Sequence, residues 1–246
     1  MSKKNLKLII EYDGSEFLGW QIQKSGRTVQ GEIESAIKKI FNNDLITLIG
    51  SGRTDSGVHA KAQTAHVKVT TEMDCEKIQK AINGNIGNDL YISNCSFIDE
   101  NFHARFNAKI REYHYLMTDS YSPLNRNKEW FLPKKLNDNL LMKCAETILG
   151  THDFTSFCKA NSEVENKMCT INNAEWKIEN GRRKFIIQAN RYLQHMVRYL
   201  VGTMIEVARG RYSVKQFELM LNCKQEDIMV YRAPAHGLYL WRVEYE

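Results

Sequence analysis

The stretch Gly52-Arg53-Thr54-Asp55-Ser56-Gly57-Val58-His59-Ala60 gathers groups that can do chemistry. A carboxylate, Asp55, stands two residues from a guanidinium, Arg53, with hydroxyls on Thr54 and Ser56. The bracketing glycines let the backbone turn tightly and take φ > 0. An ionised Asp55 can act as nucleophile or general base. Asp-Ser-Gly is also good turn chemistry and by itself only reverses a chain. Two other chemistries fit less well. The Gly52–Gly57 spacing matches a phosphate loop, but Val58-His59 occupies the places of the lysine and the magnesium-binding hydroxyl. Asp55 and His59 offer two metal ligands and no third, so no metal site is assigned.

A second group of candidates follows Asn190. Leu193, Met196, Val197, Leu200, Val201, Met204 and Ile205 recur at helical spacing. Arg191, His195, Arg198 and Gly202, spaced four, three and four, then share another face of one helix. A solvated helix edge is the plain alternative. His152 and Asp153 tempt as a catalytic pair, but hydrogen bonding at a helix end suits them better.

These residues need elements to position them. Leu45–Ile49 reads as a buried strand before the Asp55 loop, and Gln63–Val69 as an alternating strand after it. Leu6–Tyr12 is a strand that Asp13-Gly14-Ser15 ends. Thr28 caps a helix with Val29, Ile33, Ile37 and Ile40 on its apolar face. A second helix starts near Asp74, stops at Asn83-Gly84-Asn85, and leads to a strand over Leu90–Ile98. The first hundred residues thus order as strand, helix, strand, strand, helix, strand, the split βαβ order of ferredoxin-like folds.

The strand Ile110–Met117 places Arg111, Tyr113, Tyr115 and Met117 on one face. Residues 122–133 read as an irregular surface insertion. Asn137 caps a helix that Gly150 stops, and Asn180-Gly181 joins two strands, 174–178 and 184–189, as a hairpin. Ser213 and Gln216 form a capping box before a last helix. The order of the first half repeats, which predicts an α+β chain of two ferredoxin-like (RRM-like) halves, 1–105 and 106–246. Their antiparallel-rich sheets are expected to join around a central catalytic cleft.

Bulk properties set limits. The chain has 246 residues, 43% of them hydrophobic, which suits a folded chain with a substantial core. Its net charge of +5 suggests a polyanion only if the charge is clustered. Six cysteines, with no Cys-x-x-Cys pair, read as free thiols of a reducing compartment. The start of the chain has no apolar leader, and no run approaches membrane-spanning length, so a cytoplasmic protein is expected.

Gly52–Ala60 resembles the signature of the TruA-type tRNA pseudouridine synthases. Similar matches are Glu11-Tyr12-Asp13-Gly14, Gly19-Trp20-Gln21, Thr28-Val29-Gln30, Phe102-His103-Ala104-Arg105-Phe106, Gly150–Phe157, Asn190–Arg198 and Ala233–Leu240. The resemblance implies an isomerase that converts uridine to pseudouridine in the tRNA anticodon stem-loop, at nucleotides 38 to 40. It implies a homodimer and no cofactor. It makes Asp55 the essential carboxylate, Tyr113 the contact to the target uracil, and Arg198 the partner of the aspartate. Arg53, Arg105, Lys184, Arg191 and His195 become candidates for RNA contact. Two positions depart from the family pattern: Arg191, usually small, and Tyr192, usually phenylalanine. The alternatives are a paralogue acting on another RNA and an inactive RNA-binding protein of the same fold.

Overall fold

A computed structural model of the chain describes residues 2–159, 165–221 and 229–246. The elements run β1 (Ser2–Tyr12), α1 (Val29–Phe41), β2 (Ile49–Gly50), β3 (His59–Thr71), α2 (Cys75–Asn83) and β4 (Leu90–Ile98). They continue as β5 (Ile110–Thr118), β6 (Trp130–Phe131), α3 (Asp138–Thr147), β7 (Gly150–Asp153), β8 (Met168–Glu179) and β9 (Arg182–Ala189). Last come α4 (Met196–Ala208), α5 (Val214–Met220) and β10 (Leu238–Glu244). The fold is α+β. Its contacts divide it into two compact units, Met1–Lys109 with Tyr239–Glu246, and Ile110–Leu238.

In the first unit β1 lies between β3 and β4, antiparallel to both. Alternation places Leu6, Leu8, Ile10 and Tyr12 in the core. The Thr28 hydroxyl accepts from the Gly31 amide at the start of α1, and Val29, Ile33, Ala36 and Ile37 are buried. Asp74 caps α2 in the same way. The final strand joins this unit too: Tyr239 and Leu240 pair in parallel with His59 and Ala60.

The strand expected over 45–49 shrinks to Ile49–Gly50. Leu45 is exposed, while Ile46 and Leu48 are buried. Side chains of α1 replace the ladder there. Glu34 accepts from the Leu48 amide (3.0 Å) and the Gln30 side chain donates to the Leu48 carbonyl (2.8 Å). With both backbone groups satisfied, no strand neighbour is needed.

In the second unit β5 pairs with β9, β9 with β8 and β8 with β7, all antiparallel. The hairpin turn holds Asn180 at φ 49° and Gly181 at φ 75°, the two positive values a two-residue type I′ loop requires. The stretch expected as irregular surface contains β6, which pairs in parallel with Met117 and Thr118. Its Trp130 ring packs edge-on against Tyr115. Both faces of β5 are covered, against the simple alternation expected. Glu112 and His114 are buried opposite the tyrosine face, with His114 Nε2 2.6 Å from Glu112 Oε1. The Gln188 side chain donates to the other oxygen of Glu112. Burial holds the His114 imidazole below its ordinary pKa, although the carboxylate pulls the other way.

Cys75, Cys95, Cys144, Cys158 and Cys169 are free thiols. Cys223 lies outside the described residues. Burial pushes the Cys95 and Cys144 thiols up to about 12. They are packing groups rather than nucleophiles.

Candidate active site

The Asp55 loop is held at both ends and from above. At its entry, the Gln63 side chain on β3 accepts from the Ser51 hydroxyl (2.6 Å) and donates to the Gly52 carbonyl (2.9 Å). At its exit, His59 begins β3, is buried, and stacks on Tyr239 at 4.6 Å. His59 Nδ1 is 3.0 Å from the Gly14 amide and 3.1 Å from Asp13 Oδ1. The two make opposite demands on that nitrogen: bare, it accepts from Gly14; protonated, it pairs with Asp13.

Residues 13–20 lie directly against the loop. The Trp20 amide donates to the Thr54 carbonyl (3.1 Å), and the Ser56 hydroxyl to the Phe17 carbonyl (3.2 Å). Tyr12 and Thr54 share a buried hydroxyl–hydroxyl bond of 2.8 Å. A Cβ on Gly14 would sit 2.0 Å from the Val58 carbonyl oxygen, and one on Gly19 2.6 Å from that of Thr54. The Val58 amide bonds back to the Asp55 carbonyl, and Gly57 takes φ 77°. Gly52, by contrast, has open space around it. Asp55, half-buried, is therefore carried on a backbone with little freedom, and its neighbours Thr54 and Val58 are core. That is the rigid support a reacting carboxylate needs.

Arg53, exposed on the same loop, donates through Nε to the Gln21 side chain (3.1 Å). Gln21 in turn bonds Gln30 (2.7 Å), which bonds the Leu48 carbonyl. Two glutamines from the opening motifs thus orient this arginine. Arg27, which the sequence reading passed over, ties the surrounding loops together. It pairs with Glu32 and Asp89, and its guanidinium lies 4.1 Å over the Phe17 ring. Arg27 holds the Asp89 carboxyl below its ordinary pKa. The only sequence signal was its place one residue before Thr28-Val29-Gln30. Arg105 lies in the same unit, on the turn after β4, with its guanidinium 5.7 Å from the Phe106 ring.

In the second unit Tyr113 lies on β5 opposite Ile187 of β9, buried, with its ring edge-on to Tyr192 at 5.0 Å. The extra hydroxyl of Tyr192 meets the carbonyls of Ile187 (3.0 Å) and Arg111 (3.2 Å). That departure from the family pattern is therefore satisfied locally. Lys184 leaves the opposite face of β9 from Ile187, near His114 and Lys177. The sheet separates it from Tyr113.

The single helix expected after Asn190 is not what forms. Residues 190–195 turn, and α4 begins only at Met196 with His195 before it at φ 67°. The Asn190 side chain accepts from Thr170, and its carbonyl accepts from Arg111. Arg191 and His195 therefore do not share a helical face with Arg198. Nor has α4 a polar side, since Met196, Val197 and every residue from Leu200 to Ala208 are buried. Gly202 is there for contact, because a Cβ would fall 2.1 Å from the Tyr231 carbonyl oxygen.

The closing motif runs along α4 and holds Arg198. Arg198 Nε donates to the Ala233 carbonyl (2.9 Å) and the Ala233 amide to the Arg198 carbonyl (2.9 Å). The Tyr115 hydroxyl donates to the Pro234 carbonyl (2.9 Å), and a Cβ on Gly237 would fall 2.7 Å from the Tyr115 ring. Burial raises the Tyr115 phenol well above its ordinary range, which makes it a fixed donor, while the charge of Arg198 pulls it the other way. His152 does serve a helix end: its Nε2 is 2.8 Å from the Leu149 carbonyl. Asp153 caps the turn at Thr155.

Among the described residues no group of three or more His, Cys, Asp or Glu side chains could hold a metal ion, and no helix is long and apolar enough to cross a membrane. The family model described as tRNA pseudouridine synthase matches residues 8–107 and 144–246. The chain is 38% identical to tRNA pseudouridine synthase A of an Exiguobacterium species, over 99% of this chain and 98% of that one. It is 38% identical to the same enzyme of Bacillus pumilus, over 98% and 99%, and of Listeria welshimeri, over 98% of each. A rigidly held aspartate loop, a buried tyrosine on β5 and an anchored arginine on α4 thus occur in a chain that belongs to the tRNA pseudouridine synthase family.

Proposed function

We propose that this chain isomerises uridine to pseudouridine in the anticodon stem-loop of tRNA, at nucleotides 38, 39 and 40, with Asp55 as the essential carboxylate. One observation carries the assignment: Asp55 is half-buried on a loop that Gln63, His59, Tyr12 and residues 13–20 fix. Loops that only turn a chain do not need such support.

The reaction breaks the bond from N1 of the base to C1′ of ribose. The base rotates, C5 bonds to C1′, and the C5 proton leaves while N1 gains one. Atoms balance without oxidant, reductant or external donor, so turnover is expected to persist in EDTA. Asp55 acts as the ionised carboxylate, either as nucleophile at C1′ or C6 or as base toward the sugar. In this reading Tyr113 contacts the uracil. Arg198 is the partner of the aspartate that the resemblance implies, its side chain held in place by the Ala233 carbonyl. A uridine in a paired stem must be extruded before C1′ is reachable. Arg53, oriented through Gln21, is the best supported of the RNA contacts, with Arg105, Lys184, Arg191 and His195 as further positions. The resemblance supports a cytoplasmic homodimer, which sedimentation tests.

The deciding experiment is Asp55→Asn assayed on an unmodified tRNA transcript with chemical mapping of pseudouridine. The variant is expected to fold and to bind tRNA like the wild type while losing at least about a thousandfold in single-turnover rate. Substantial residual turnover in a folded variant would remove Asp55 from the chemistry.

A further inference from the structure

The turn after β4 is bound more firmly than a connector requires. The His103 amide donates to the Asn107 side chain (2.6 Å) and the Asn107 amide to the His103 carbonyl (3.0 Å). The amides of Arg105 and Phe106 both donate to His103 Nδ1, at 3.2 and 3.3 Å. From outside the turn, His66 Nδ1 accepts from the Ala104 amide (3.1 Å), the Tyr245 hydroxyl donates to the Ala104 carbonyl (2.8 Å), and Asn5 donates to the Phe102 carbonyl (3.0 Å).

What this order presents is a phenyl ring left in water. Phe106 is 74% exposed. The His103 ring backs it at 4.2 Å and 27°, and the Arg105 guanidinium lies 5.7 Å from its centroid. Nearby, the Lys7 ammonium is 5.6 Å from the Phe102 ring and 4.8 Å from that of Tyr245. No acidic residue occurs between Asn101 and Lys109. Burying a phenylalanine stabilises a fold, and this ring forgoes most of that. A rigid exposed ring with a guanidinium beside it matches the face of a nucleobase and its adjoining phosphate. An apolar pocket on a protein has no use for the cations.

We propose that Phe106, backed by His103 and flanked by Arg105, is a stacking platform for an unpaired base of the RNA substrate. Arg105 takes the adjacent phosphate. The proposal rests on the reading of the chain as a tRNA-modifying enzyme, and it concerns the turn after β4 rather than the Asp55 loop. Stacking on an aromatic is worth about 1–3 kcal/mol per base, so Phe106→Ala should weaken binding to an unmodified tRNA transcript roughly 5- to 150-fold at fixed salt. The ring is exposed, so the variant's melting temperature should not change. Phe106→Trp should bind within about threefold of wild type. Its added fluorescence, read against the four native tryptophans, should be quenched by the RNA.

Unchanged affinity in Phe106→Ala, or an unquenched tryptophan, overturns the platform. So does a change in the sedimentation of the RNA-free Phe106→Ala protein with tRNA affinity intact, which assigns the ring to a second copy of the chain. Pseudouridine formation by the wild type on the same transcript separates the two ideas. If it proceeds while Phe106→Ala binds normally, only the platform is wrong. If the wild type neither binds nor modifies tRNA, both fall.

Discussion

The loop around Asp55 and the stretch from Asn190 to Arg198 both carry candidate residues for chemistry, yet they are built differently. The first is a true loop with its ends on β3 and its backbone bonded to residues 12–20. The second keeps the apolar spacing of a helix through a turn that is not helical. The Met196 amide bonds back to the Leu193 carbonyl (3.1 Å), an i to i+3 contact. Chain direction therefore advances by about three residues per turn, close enough to a helix to mimic its periodicity. His195, at φ 67°, then re-aims the chain into α4. Periodicity reports which side chains are buried, and a turn can bury them as well as a helix can.

That contrast can be broken first inside the Asp55 signature. Gly52, in the signature, has open space around it, whereas Gly14, far outside the signature, is packed against the loop. Gly14→Ala should lower turnover about a hundredfold, since a Cβ 2.0 Å from the Val58 oxygen must displace the loop by a sizeable fraction of an ångström. Gly52→Ala, with open space and no positive φ, should leave rate and stability near wild type. Single-turnover kinetics beside urea melts check both. Equal effects at 14 and 52 would show that the support from residues 13–20 is unimportant.

Acid should act through two buried imidazoles, one in each unit. The first unit uses a bare imidazole nitrogen of His66 to accept a backbone amide, and burial pushes that imidazole down to about 4, helped by His103. The native state keeps His66 neutral while the unfolded chain protonates it near pH 6.5. The unfolded state thus binds more protons between those values, and stability falls as pH drops from about 6.5 to 4. The size is about 3 kcal/mol. His114, also buried and depressed, contributes with the same sign. The bonds around Asn190 and Tyr192 involve amides, carbonyls, an arginine and a phenol, which do not titrate in that range. Urea midpoints against pH should show the slope, and His66→Asn should reduce it. A slope unchanged in that variant would place the acid sensitivity elsewhere.

The smallest effect sharpens the boundary of α4. If 191–205 were one helix, His195→Gly would destabilise by about 1 kcal/mol. With His195 left-handed, the same change should stabilise by about 0.5–1 kcal/mol. The measurement is the shift of the thermal midpoint in the absence of RNA.

Much of the fold was readable because local rules decide it. Thr28, Asp74, Asn137 and Ser213 cap helices where their types and positions predict. Asn180-Gly181 closes the hairpin because few other pairs tolerate two positive φ values. The Asp55 loop, the strand bearing Tyr113 and the presence of Arg198 on a helix were legible for the same reason.

Other features depend on residues distant in the chain. Leu48 leaves the ladder because Gln30 and Glu34 take its backbone groups. Trp130-Phe131 becomes a strand because the edge beside Met117 and Thr118 is open to it. Read alone, the sequence divides the chain at 105/106; contacts group Tyr239–Glu246 with the first unit, through pairing of Tyr239 and Leu240 with His59 and Ala60. By itself the sequence determined the caps, the turns, the burial pattern and the residue types available for chemistry, all set by interactions within a few positions. Only the tertiary structure decided that Gln21 orients Arg53, that Ala233 anchors Arg198 and that Arg191 leaves the face of Arg198. Those outcomes are hydrogen bonds and close backbone contacts between segments whose meeting no local periodicity encodes.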